Sequence, residues 1–158
     1  RAAGIDSLYS STDNELFITG IQMEVGSVAT PFEHRSFGEE LALCQRYYHR
    51  HVSDGSSQNM FGVGFCDSST NATVQIHFPT TMRDQPSALE TTGTAGDYAI
   101  REGGGADITC NAVPTMSGDT TPNVAVLGFT TSGSLTADSG CMGRAVNSGV
   151  HLSFTSEL

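Results

Sequence analysis

Lysine and tryptophan are absent from the 158 residues, and only 15% of the side chains are charged. All seven cations are arginines: Arg1, Arg35, Arg46, Arg50, Arg83, Arg101 and Arg144. Against 17 acidic residues they leave a formal net charge of -10, and no basic stripe runs along any segment. Affinity for a phosphate backbone rests on clustered positive charge, so no nucleic-acid partner is expected. Without tryptophan, an aromatic platform for a sugar has to come from tyrosine. Apolar runs stay well short of the roughly 18 residues that a spanning helix needs, so no membrane insertion is expected. Cysteine is sparse as well: Cys44, Cys66, Cys110 and Cys141 form no Cys-x-x-Cys pair, which removes zinc knuckles and dithiol redox motifs. Their even number permits two disulfides in an oxidising setting, but free buried thiols are the expected state.

What the chain has instead is glycine, serine and threonine, the residues of tight turns, with few runs of strong helix formers. That composition predicts an all-β class, and the length suits one hydrophobic core plus a short appended piece. The opening residues from Arg1 read as the interior of a longer polypeptide.

Three regions are expected. In residues 1–34, Phe17, Ile21, Met23 and Val25 fall on one face of a period-two pattern, the mark of a strand, before Pro31 holds the chain extended. This is the terminal strand and linker of a preceding β-module. Residues 35–52 hold a short amphipathic helix and its connector. Ser36 and Glu39 have capping-box spacing, Glu39 and Glu40 sit where the helix dipole favours acid, and Phe37, Leu41, Cys44 and Tyr48 recur on one stripe. A helix of three turns is too short to stand alone in water, so this stripe is expected to pack on the sheet.

Residues 53–158 form the C-terminal β-sandwich, with strands expected at 60–66, 72–78, 98–101, 107–113, 124–131 and 150–157, and a further one at 47–52 in the connector. The clearest alternation puts Val74, Ile76 and Phe78 on one face. Arg101-Glu102-Gly103-Gly104-Gly105 lacks the strand, glycine and helix context of a phosphate loop and reads as a hairpin connection.

The run from Gly20 to Tyr48 carries a resemblance. Gln22-Met23-Glu24-Val25-Gly26, then Thr30-Pro31-Phe32-Glu33, then Glu40-Leu41-Ala42-Leu43-Cys44-Gln45-Arg46-Tyr47-Tyr48 is similar to a junction in bacteriophage tail-fibre and related virion structural proteins. There a jelly roll like that of carbohydrate-binding modules leads through such a linker into a helix and a C-terminal β-domain. Phe78-Pro79-Thr80-Thr81-Met82-Arg83-Asp84-Gln85-Pro86 and the closing Leu152-Ser153-Phe154-Thr155 look like that later domain. The resemblance implies a homotrimer, a jelly-roll-like sandwich, other tail or capsid proteins as partners, and location in the virion. It also implies attachment to a host-surface glycan or outer-membrane receptor.

Candidate sites follow from both readings. Phe37, Leu41, Cys44 and Tyr48 are expected in trimer or helix packing, and Tyr47 and Tyr98 are candidate receptor or sugar contacts. Loops 53–58, 91–97, 115–123 and 132–140 are candidate recognition surfaces. His49 and His51 would share a face of an extended strand, and in some trimeric phage fibre tips such pairs ring an axial metal. Solvated or hydrogen-bonded imidazoles are the expected state here, with no metal and no cofactor.

Aspartates 54, 67, 84, 97, 107, 119 and 138 fall in turn contexts, and neither a Gly-x-Ser-x-Gly nor any other nucleophile motif occurs. A non-enzyme is therefore expected, with a purely structural trimerisation or capsid-decoration module as the alternative function and a polysaccharide depolymerase as a weaker one.

Overall fold

The structure is a computed structural model that describes residues 18, 20–28, 30–54 and 59–156. Arg1–Ser36 and Phe37–Leu158 form separate compact units. Among the described residues of the first unit no strand occurs; Leu16, Phe17 and Thr19 of the expected strand lie outside them. Ile21, Met23 and Val25 are exposed, because a period-two pattern buries nothing without a sheet to join.

Among its described residues the second unit is all-β apart from one short α-helix and a single 3-10 turn at Ala95–Asp97. Helix α1 spans Phe37–Gln45, with Glu39 and Glu40 in its first turn. It ends where Tyr47, Tyr48 and Val52 favour extended backbone, and a Tyr47 N–H to Cys44 carbonyl bond of 3.0 Å closes it. Ten strands follow: β1 (Tyr48–Val52), β2 (Met60–Cys66), β3 (Asn71–His77), β4 (Ala88–Thr91), β5 (Tyr98–Glu102), β6 (Ile108–Thr109), β7 (Thr115–Met116), β8 (Val124–Thr130), β9 (Gly140–Ala145) and β10 (His151–Thr155). They build a three-stranded sheet, β1-β10-β4, and a seven-stranded one, β6-β5-β9-β2-β3-β8-β7, with every pair antiparallel. Tyr48 is therefore the first residue of β1, not part of the helical stripe, and residues 48–52 belong to the sandwich.

The core lies between the sheets. Ala72, Val74 and Ile76 of β3 and Ala125, Leu127 and Phe129 of β8 point inward at every second position, as the alternation predicts. Leu152 and Phe154 of β10 face them from the smaller sheet. Phe78 bridges the seam, its ring 5.1 Å from Phe154.

The outer strands of the large sheet are tied to each other. Beyond β6 the Cys110 N–H donates to the Tyr98 carbonyl at 2.9 Å, and Cys110 also forms a bridge with Thr131, just past β8. Asn111 then donates to the Thr130 carbonyl at 3.0 Å before the chain enters β7. Residues 108–116 so cover both edges, which an open sheet leaves as templates for stray pairing. The expected strand at 107–113 is in reality this split connection. It is short because it changes partner from β5 to β8 midway.

Tyr98 joins the two sheets. Fully buried, its ring lies between Phe61 and Phe129, at 6.1 and 6.5 Å, and its hydroxyl donates to the His151 carbonyl at 2.7 Å while accepting from the Thr92 N–H at 3.0 Å. Replacing it by Phe keeps the ring but strands that amide and carbonyl, so Tyr98→Phe is expected to cost about 1–3 kcal/mol in urea denaturation; an unchanged midpoint contradicts the tie.

Strand β2 approaches β3 closely. A Cβ on Gly64 would lie 1.8 Å from the Thr73 carbonyl oxygen, and one on Gly62 would lie 2.2 Å from that of Gln75. Gly64→Ala should therefore lose about 2 kcal/mol or more, whereas Gly104→Ala, in open space, should stay within about 0.5 kcal/mol. Equal urea midpoints for the two variants would show that the approach is slack.

Candidate functional site

The linker of the first unit closes on itself through the residues that define the junction pattern. The Gln22 amide donates to Glu24 Oε2 and to Thr30 Oγ1, and its carbonyl oxygen accepts from the Glu33 N–H at 2.8 Å. Glu24 takes the Thr30 N–H on one carboxylate oxygen and the Thr30 hydroxyl on the other. These bonds from Thr30, with Gln22 adding to them, hold the Glu24 carboxyl below its ordinary value. Gln, Glu, Thr and Glu at this spacing thus form one stapled loop, a local structural job rather than a ligand site.

Helix α1 buries none of its residues. Phe37 is 82% exposed, and Leu41, Leu43 and Cys44 are also exposed. The expected packing of this stripe on its own sheet is not what the chain does. Its anchoring is polar and runs through its C-terminal end: Gln45 meets the Thr80 hydroxyl, and the Arg46 carbonyl accepts from the Arg83 N–H at 2.7 Å.

His49 and His51 do share a face, and it is the inner face of the small sheet, opposite Phe154 and Leu152. Their rings are 6.5 Å apart; His49 packs edge-on against Phe78 and His51 against Phe61. They are half-buried seam residues, and no group of three metal-type side chains occurs among the described residues. Nδ1 of His49 is a buried nitrogen with no hydrogen-bond partner.

Of the two tyrosines, Tyr47 is exposed, with the Arg83 guanidinium 6.0 Å from its ring centre. Tyr98 cannot stack on a sugar, because it is the buried tie between the sheets. A tyrosine flanked by turn residues resembles a platform in sequence, and only the pairing of β5 shows that it points inward.

Among the expected loops, 91–97 runs from the last residue of β4 through the 3-10 turn at Ala95–Asp97 to β5, and 132–140 leads into the first residue of β9. The stretch 115–123 begins as strand β7, and residues 55–58 of the first loop lie outside the described residues. Several of the aspartates hold turns and neighbouring segments. Asp67 accepts from Thr73, Asp97 from Thr92 and Asn147, Asp119 from the Ser117 hydroxyl, and Asp138 takes the left-handed turn conformation at φ 62°.

A surface that the sequence reading missed lies on the outer face of the large sheet. After the irregularity at Met60–Gly62, β2 turns Gly62, Gly64 and Cys66 inward and Val63 and Phe65 outward. Val63 is 56% exposed and Phe65 48%, and Met60 and Met142 lie on the same face. Beside Val63 and Met142 is a shallow hollow of about 320 Å³ that reaches Arg101, Gly103 and Gly140. At its flank Asp107 Oδ1 is 2.9 Å from both Arg101 Nε and Arg144 Nη1. The signal was there in Gly62-Val63-Gly64-Phe65, where glycine alternates with large apolar residues and leaves Val63 and Phe65 the opposite face, while the irregularity turns Phe61 inward.

The cysteines are all free; Cys66, Cys110 and Cys141 are buried. Burial, a hydrogen bond with Glu102 and the neighbouring Cys141 push the Cys66 thiol up to about 12, and burial alone takes Cys110 to about 12. Such thiols are poor nucleophiles. Compared with protein-family models, with curated proteins and with solved structures, the chain matches none.

Burial holds the His51 imidazole below its ordinary value of 6.5, and burial with the charge of His51 does the same at His49. Between the lowered folded values and 6.5 the unfolded chain binds more protons than the folded one, so stability rises with pH there. It is complete above about pH 6.5 and is lost as the pH falls through the folded values. Urea midpoints taken from about pH 8 to about pH 5 should drop below neutrality, and the drop should shrink in the His49→Gln, His51→Gln variant; an equal drop there assigns it to other groups.

Proposed function

We propose that this chain is a virion structural module, the distal part of a tail fibre, that assembles as a homotrimer and attaches to a host-surface glycan or outer-membrane receptor. The observation that carries the assembly half is the outward placement of apolar side chains. The chain leaves Phe37 and Leu41 of α1, and Met60, Val63 and Phe65 of β2, in solvent while its small inward positions are filled with glycine. Apolar groups clustered on a surface mark contacts with another macromolecule. The stapled linker from Gln22 to Glu33 and the helix after it supply the virion half, through their likeness to the fibre junction. Attachment rests on that likeness together with the exposed loops of the sandwich.

A purely structural role is favoured by one specific feature. The exposed apolar groups are all of the kind that assembly alone would cover, and Tyr98, one of the two receptor candidates, is buried. The readings part on binding. The labelled 158-residue chain is applied to a glycan array and to host cells: saturable binding supports attachment, and its absence leaves the module structural. For assembly, the mass by light scattering should be a multiple of the 16.6 kDa chain, and Phe37→Asp with Leu41→Asp should lower it by at least one subunit. A mass unchanged by that double substitution would remove the helix from the interface.

A further inference from the structure

The two unpartnered apolar surfaces differ in charge and belong to different parts of the unit. Helix α1 borders β1 of the small sheet and presents Phe37 and Leu41 with Glu39 and Glu40 at its N-terminal turn and Arg46 just past its end. The other surface is the outer face of the large sheet, where Met60, Val63, Phe65 and Met142 are flanked by Arg101 and Arg144 around Asp107. At the far end of β2, Asp67 accepts from the Thr73 hydroxyl. Two helices laid face to face would bring four glutamates together. Two sheet faces would oppose their arginines. Helix against sheet face sets acid near base at both ends, and like charges placed opposite each other are what a wrong pairing costs.

We infer that the sheet face docks helix α1 of a second copy of this chain, a head-to-tail contact in which the two surfaces are different rather than the same. The helix is about 14 Å long, and Asp67 lies two strands across from Arg101 and four residues along β2 from Val63, about 16 Å away in all, so the nine residues of α1 with their end side chains reach from one charged end of the patch to the other. In this placement Glu39 and Glu40 lie toward Arg101 and Arg144, Phe37 and Leu41 cover Val63 and Phe65, and Arg46 lies toward Asp67. A contact between unlike surfaces closes into a ring when its rotation is that of a cyclic group. With three copies it gives the proposed trimer, and to that extent the inference rests on the proposed function.

The test uses two variants of the whole chain. One blocks the helix (Phe37→Asp, Leu41→Asp) and the other blocks the sheet face (Val63→Asp, Phe65→Asp), all at solvent-exposed positions. Should the second fail to show the thermal transition of the parent, Met60→Asp with Met142→Asp takes its place. Each variant alone should run as a monomer in light scattering. Mixed in equal amounts they should form a dimer, because each keeps the surface that the other lacks. A mixture that stays monomeric while the parent chain associates overturns the head-to-tail contact and leaves the proposed assembly standing. Variants that associate like the parent overturn the contact as well, and a parent chain that is monomeric overturns both.

Discussion

The phenol of Tyr98 lies where the two sheets and the closed edge of the larger one meet. Its hydroxyl reaches β10 through the His151 carbonyl, its own carbonyl receives Cys110, and Cys110 carries the chain over to Thr131. The ring between Phe61 and Phe129 fixes the depth at which this happens. A buried hydroxyl that both donates and accepts has little unmet hydrogen bonding left, so it anchors the seam without the penalty of an orphaned polar group. Register follows from the same point. Tyr98 faces Ala145 and begins the pairing of β5 with β9, which in turn aligns β9 with β2.

That alignment decides what the outer face looks like. With β9 on one side and β3 on the other, β2 has no room for inward side chains at Gly62 and Gly64. Gly143 on β9 continues the constraint, since a Cβ there would lie 3.1 Å from Val74 and 3.2 Å from Phe129. The space left at these positions is taken by the β3 backbone at Gly62 and Gly64, joined by Ile76 at Gly62, and by Val74 and Phe129 at Gly143. Val63 and Phe65 then have only the outer face to occupy, while Phe61, at the irregularity, packs inward on Tyr98. An apolar exterior is thus a consequence of tight interior packing.

How much of this could be read in the sequence depended on the kind of signal. Ala72 to His77 and Val124 to Thr130 alternate cleanly, and β3 and β8 are where the period placed them. The helix was legible from its acidic first turn and the aromatic run that ends it. Strand β9 was not, because Gly-Cys-Met-Gly-Arg-Ala has neither β-branched residues nor an apolar alternation, and its place between β5 and β2 comes wholly from tertiary pairing. The short strands β4 and β7 were missed for the related reason that they are edges with few residues to declare them. At the candidate site the error had the opposite sign. Tyr98 and His51 look like surface chemistry in sequence, yet both face inward, while Phe65 looks like core and faces out.

The chain's acidity sets a condition on any assembly of copies. Each carries a formal charge of -10, so bringing copies together works against a long-range repulsion that the contacts of an interface must overcome. Repulsion of this kind is screened over roughly 8 Å at physiological salt, whereas contacts within an interface are shorter than that. Ionic strength therefore acts on the opposing term more than on buried apolar contact, and an interface that keeps its arginines at the apolar surface gains a local attraction inside a repulsive field. Lysine would serve that purpose less well, since its ammonium holds water more tightly and lacks the rigid fork of N–H donors of the guanidinium groups that reach Asp107 Oδ1 from Arg101 and Arg144.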